Sequence, residues 1–177
     1  MGNVILVGMP SCGKTTIGIA LARVMDRRFV DLDDRIMKWE GMKLQEIIDA
    51  NGIDYFHDIE RTVCLNFKED NMVVATGGSA IYAEDAMERF RENGVMVYLK
   101  ISVETAEKRL TNLATRGVTL APGQTIRELY EYREPFYRRH ADLIIKSDGR
   151  SVASVVLDTL TELNRFKSRL VNGPVIW

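Results

Sequence analysis

The stretch Asn3-Val-Ile-Leu-Val-Gly8-Met-Pro-Ser-Cys-Gly13-Lys14-Thr15-Thr16 decides the fold. A short apolar run ends at a glycine, and residues 8–15 satisfy G-x-x-x-x-G-K-[ST] without mismatch. Behind it, Lys14–Met25 carries Ile17, Ala20, Leu21 and Val24 on one face at helical spacing. Strand, glycine-rich turn and helix in that order predict a phosphate-binding loop. Gly8 and Gly13 permit backbone angles that turn several N–H groups towards an anion, and the helix N-terminus adds a favourable dipole. Lys14 would reach the outer phosphates of a nucleoside triphosphate, and the Thr15 hydroxyl would hold Mg²⁺. The cradle comprises Gly8, Ser11, Cys12, Gly13, Lys14, Thr15 and Thr16, with Cys12 contributing its backbone N–H.

Outward from this loop, short apolar runs alternate with helical patterns, which predicts βαβ units and a parallel sheet. The expected strands are Asn3–Val7, Arg28–Asp31, Met72–Thr76, Val95–Lys100 and Leu143–Lys146. Their consecutive apolar positions suit strands covered on both faces by helices, a three-layer α/β/α arrangement. Further helices are expected over Asp34–Glu40, Leu44–Ala50 (stopping near Asn51-Gly52) and Ala83–Glu92. Ser102 is read as the N-cap of Val103–Leu110, and Thr125 and Glu128 as a capping box opening a helix that Pro135 should interrupt. Ser151 opens a last helix to about Lys167. The segment 111–124, with two glycines and a proline, reads as a mobile surface lid. The tail Leu170–Trp177 is assigned to no element.

Length and composition narrow the function. The chain has 177 residues, 46% apolar and 28% charged, with a formal net charge of −1. That fits one globular domain over residues 1–177, with no electrostatic footprint for nucleic acid or an anionic membrane. Cys12 and Cys64 form no disulfide framework, and no run is long enough to span a membrane. A soluble cytoplasmic protein, acting as a monomer on a small molecule, is the expectation.

Three carboxylates, Asp31, Asp33 and Asp34, follow the second strand, where their burial would be costly without a cation or hydroxyls to bind. Alternation along an extended chain would put Asp31 and Asp33 on one side, Asp31 facing Mg²⁺ and Asp33 a substrate hydroxyl, while Asp34 caps the next helix. Gly77, Gly78 and Ser79 end the third strand, where adjacent glycines let a ligand approach the backbone. Arg109, Arg116 and Arg133 lie on or near the lid segment, as cations for developing phosphate charge. Cys64, Trp39, Phe56 and Phe67 are read as core and His140 as a surface residue.

In GMPSCGKTT, FVDLDD, YFHDIE, ATGGSA and YREPFYRRHAD, from about Asn3 to Val156, the chain resembles the shikimate kinases, P-loop kinases of the nucleoside-monophosphate-kinase type. The resemblance implies a five-stranded parallel sheet and transfer of the ATP γ-phosphate, with Mg²⁺, to the shikimate 3-hydroxyl under a closing lid. It also implies site residues. Lys14 would stabilise the phosphate, Thr15 and Asp31 would hold Mg²⁺, and Asp33 would bind the attacking hydroxyl. Gly78 and Arg133 would contact the substrate, with Gly77 and Ser79 beside them and the helical region about 33–61 as the acceptor wall. Arg116 would be the lid arginine, and Arg109 and Arg150 would sandwich the adenine.

Three positions depart from the family pattern. His57 stands where an arginine usually clamps the shikimate carboxylate, Ser79 replaces a third glycine, and Gly117 replaces a proline after the lid arginine. A histidine offers one directed donor where an arginine offers a charged fork. Losing such a bond costs about 1.5–3 kcal/mol, roughly ten- to a hundred-fold in affinity. Two other readings therefore stand beside shikimate: another small hydroxy acid or a hydroxy-amino acid such as homoserine, and a non-catalytic nucleotide-binding switch. The intact Lys14, Thr15, Asp31 and Asp33 argue against the switch.

Overall fold

A computed structural model of the chain describes residues 2–110 and 117–172. Among them are five strands: β1 (Asn3–Val7), β2 (Arg28–Asp31), β3 (Met72–Ala75), β4 (Gly94–Lys100) and β5 (Leu143–Lys146). They form one parallel sheet in the order β2-β3-β1-β4-β5, with Leu6 beside Ala75 on one side and Val97 on the other. Seven helices connect and follow them: α1 (Lys14–Val24), α2 (Leu32–Glu40), α3 (Leu44–Leu65), α4 (Glu84–Glu92), α5 (Val103–Arg109), α6 (Ile126–His140) and α7 (Val152–Asn172). Every residue of β1 and β3 is buried, because helices cover both faces of the sheet, and this is why their sequences are continuous apolar runs. The chain runs outward from central β1 to one edge and then returns to the other side of it. This leaves a crevice at the carboxyl end of β1, where open α/β sheets take their ligands. Among the described residues no helix is long and apolar enough to cross a membrane.

The expected strands agree with the observed ones to within one residue. The helices differ in instructive places. The helix expected to stop near Asn51-Gly52 does break there, at a non-helical Gly52 (φ 89°, ψ 170°), but a second helical stretch, not expected, carries α3 on to Leu65. Its second half buries Phe56, Glu60, Val63 and Cys64, a helical stripe whose one polar member is a glutamate. Pro135 does not interrupt α6. It lies on the exposed side, so the missing hydrogen bond faces water, while Leu129, Tyr130, Arg133, Tyr137 and His140 hold the other side in the core. The last helix runs to Asn172, past the expected end at Lys167.

Cys64, Phe56 and Phe67 are buried as expected, whereas two side-chain expectations are reversed. His140, expected at the surface, is buried because it ends the inward face of α6. Trp39, expected in the core, is 62% exposed, and nothing in the described residues explains its position.

Candidate functional site

The loop between β1 and α1 has the backbone that its glycines predict. Gly8 has φ +148°, and a Cβ there would lie 2.8 Å from the Leu99 carbonyl oxygen, so only glycine fits. Gly13, also at positive φ, is the N-cap of α1 and offers no side chain to the helix N–H groups, which are left for a ligand. The Lys14 ammonium is folded into the loop and donates to the carbonyls of Gly8 (2.8 Å) and Met9 (3.1 Å).

Thr15 and Asp31 meet beside Lys14. The Thr15 hydroxyl donates to Asp31 Oδ2 at 2.7 Å. The other Asp31 oxygen accepts the Asp33 backbone N–H at 3.1 Å, which makes Asp31 the N-cap of α2. The cap was expected at Asp34, with Asp31 and Asp33 alternating along an extended chain. Instead the helix begins at Leu32, and Asp33 sits in its first turn. Both carboxylates nevertheless line one cavity of about 600 Å³ with Lys14, Thr15, Glu60 and Gly78.

The far wall of that cavity holds two buried carboxyl groups. Asp33 Oδ1 and Glu60 Oε1 are buried and have no hydrogen-bond partner among the described residues. They converge on Gly77, where a Cβ would overlap Glu60 Oε1 and lie 2.8 Å from Asp33 Oδ1. Burial, reinforced by Asp31 and opposed by Lys14, pushes the Asp33 carboxyl up to about 6. Burial and Asp33 push Glu60 up to about 8, against the Ser79 hydroxyl that donates to its Oε2 and the charge of Arg133. Both carboxyls are thus shifted upward, and Glu60, which also faces the Asp33 charge, is the one that holds its proton to higher pH.

Arg133 on α6 is 1% exposed. Its Nε donates to the Tyr82 hydroxyl (2.9 Å) and its Nη2 to Thr119 Oγ1 (2.5 Å), and its guanidinium lies over the Tyr82 ring. Nη1 lies against Gly78, 3.1 Å from where a Cβ there would sit. Burial works against its charge, but the Tyr137 and Tyr82 hydroxyls and the Glu60 carboxyl outweigh it and hold the group above its ordinary value. Among the described residues it forms no ion pair within 4.0 Å. A buried guanidinium without an anion is costly.

His57 is half-buried and lines a neighbouring aromatic cavity of about 500 Å³ with Tyr82, Thr119, Tyr132 and Phe136. Its Nε2 lies 3.4 Å from Thr119 Oγ1. Burial and Arg133 hold it below the usual histidine range, so the ring is neutral at pH 7. Arg109 donates to the Ser11 carbonyl (3.1 Å), at the phosphate loop. Arg150 binds Asp158 and Ser154 on α7, both at 2.5 Å. Arg116 lies outside the described residues, as does most of the first half of the segment read as a lid.

Three contributors carry no role in the sequence reading, although Tyr137 falls within the quoted YREPFYRRHAD stretch. The Tyr137 hydroxyl donates to the Gly78 carbonyl (2.6 Å) and is itself stacked on Tyr98, which fixes the turn after β3. Tyr82 and Thr119 hold Arg133. The helical face of α6 could have disclosed Tyr137, four residues after Arg133, but no local signal marks Tyr82 or Thr119.

The comparisons agree with this geometry. The family model for shikimate kinase matches residues 10–164. A shikimate kinase of Sulfurihydrogenibium sp. (strain YO3AOP1) is 34% identical over 166 residues, covering 93% of this chain and 99% of that protein. One of Chromohalobacter salexigens is 36% identical over 174 residues, covering 95% of each. The solved shikimate kinase of Acinetobacter baumannii, in complex with shikimate, superposes with a TM-score of 0.86 at 29% identity, covering 93% of this chain and 94% of that one. A phosphate loop, a carboxylate-lined crevice and this likeness over nearly the whole chain lead to one conclusion: the chain belongs to the shikimate kinase family, ATP-dependent phosphotransferases that act on an alcohol.

Proposed function

We propose that this protein transfers the γ-phosphoryl group of ATP to the 3-hydroxyl of shikimate. The observation that carries the reading is Arg133, a buried guanidinium without an anionic partner among the described residues, whose Nη1 lies against Gly78, a lining residue of the cavity that Asp33 and Glu60 also line. A small acid bearing hydroxyls supplies a carboxylate for the first and donors for the others.

In this reading ATP lies with its phosphates along residues 8–16, with Arg109 and Arg150 at the adenine end. Asp33 accepts a hydrogen bond from the acceptor hydroxyl and takes its proton as the oxygen attacks. A value near 6 leaves it ionised and basic enough for that role. The new P–O bond forms as the bond between the γ-phosphorus and the β–γ bridging oxygen breaks, and ADP leaves with that electron pair. Lys14, released from the Gly8 and Met9 carbonyls, and Arg116 stabilise the charge on the transferring group. Thr15 Oγ1 and Asp31, hard oxygens already in contact, fit Mg²⁺. When bound there, Mg²⁺ supplies charge neutralisation of the phosphates. Gly77, Gly78 and Ser79 shape the acceptor wall, and His57 lies behind it as a neutral group. Residues 1–177 act as one kinase domain, with 111–124 as the lid.

A second reading, a hydroxy-amino acid such as homoserine, draws on the two unpaired carboxyl oxygens, which would also suit an ammonium group. ADP release from MgATP, measured with shikimate, quinate, homoserine, gluconate and glycerate in parallel, separates the two. Shikimate-dependent release is expected. Release with homoserine and none with shikimate would replace the first reading by the second, and slow release indifferent to every acceptor would point to a switch.

A further inference from the structure

Thr119 occupies an unusual position between the side chains of Arg133 and His57. It lies in the stretch between Gly117 and α6, is 6% exposed, and belongs to no motif. Its Oγ1 is 2.5 Å from Arg133 Nη2 and 3.4 Å from His57 Nε2. A guanidinium can only donate, so the Thr119 oxygen accepts from Arg133. Its own proton is then free for His57 Nε2, which fits a neutral ring carrying its proton on Nδ1.

The guanidinium is thus pinned at two of its three nitrogens by hydroxyls from two other parts of the chain, Tyr82 at Nε and Thr119 at Nη2. The remaining nitrogen, Nη1, is the one against Gly78, and Gly78 lines the phosphate-loop cavity. Rotation of the guanidinium about its long axis would break one of these two bonds.

We propose that Thr119 is a positioning residue for acceptor specificity: its hydroxyl fixes which edge of Arg133 meets the acceptor's carboxylate. The proposal rests on the acceptor reading above and deepens it. Thr119 does not touch the transferring phosphate. Its effect is therefore confined to the affinity for a negatively charged acceptor, with ATP binding and the chemical step left alone. A misaimed charged pair forfeits much of its bond, since such bonds depend on geometry.

The test uses the whole chain with Thr119→Val, which keeps the shape, and Thr119→Ser, which keeps the hydroxyl. Melting temperature, kcat, KM for ATP and KM for shikimate are measured on each, and the shikimate measurement is repeated with the methyl ester, which lacks the charge. Thr119→Val is expected to raise the shikimate KM about tenfold, with kcat and the ATP KM within about twofold of wild type. Thr119→Ser should stay within about threefold. With the ester, the Val variant and wild type should coincide. An unchanged shikimate KM in Thr119→Val overturns the proposal. So does an equal rise in the ATP KM, failure of serine to rescue, or persistence of the defect with the ester. If shikimate itself is not used, the acceptor reading fails, and the same variants are then measured with the acid that the acceptor panel identifies. An enzyme that takes only acceptors without a carboxylate overturns both.

Discussion

The two halves of the cavity differ in how far the protein satisfies its own polar groups. On the phosphate side Lys14 has two carbonyl partners, and Thr15 and Asp31 hold each other. On the acceptor side Asp33 Oδ1 and Glu60 Oε1 have none, and Arg133 has no anion among the described residues. The phosphate side is a contiguous turn whose polar groups satisfy one another. The acceptor side holds buried polarity in reserve, and buried polar groups left unpaired discriminate strongly between ligands that satisfy them and ligands that do not.

That contrast orders the expected effects of substitution. Lys14→Met should lower kcat by about a thousandfold or more, because it removes charge from the transferring phosphate while leaving the acceptor wall intact. Single-turnover phosphate transfer with an unchanged circular dichroism spectrum would check this, and substantial residual turnover would break the assignment. Asp33→Asn should lower kcat about a hundredfold or more with the ATP KM unchanged. Steady-state kinetics in both substrates would show it, and matched losses for both would move Asp33 to a structural role.

Glu60→Gln sharpens the comparison from the stability side. The folded protein keeps the Glu60 proton up to about 8, whereas an ordinary glutamate loses it near 4.5. Between those values the folded state holds the extra proton, so this group's contribution to stability falls as pH rises through that window. Glutamine has no proton to lose. The variant should therefore match wild type in melting temperature at pH 4.5–5 and exceed it by about 3 °C or more at pH 8.5, on the scale of roughly 2–4 °C per kcal/mol for a chain of this size. Equal melting temperatures at both pH values would show that Glu60 is not carrying a buried proton.

The same contrast explains what could be read in advance. The phosphate side is contiguous, residues 8–16 with Asp31 at the end of the next strand, so spacing alone identifies it. The five strands were legible because burial on both faces leaves a period-free apolar run. The acceptor side is assembled from α2, the second half of α3, the turn after β3, Thr119 and α6, and nothing local links Glu60 to Gly77 or Thr119 to Arg133. Asp33 lines the cavity from the first turn of α2 and not from an extended strand end, since α2 starts at Leu32, two residues before the expected Asp34. Pro135 misled because its rule concerns a lost hydrogen bond, and here that bond faces water. His57 could be seen to be out of pattern, but only the fold shows that it turns to Thr119.

The most direct test of the acceptor side is a titration of shikimate against its methyl ester in the ADP-release assay at pH 7. The account predicts saturable release with shikimate and a KM about tenfold or more higher for the ester, because Arg133 would lose its anion. Equal use of acid and ester, or no release above background with either, would contradict it.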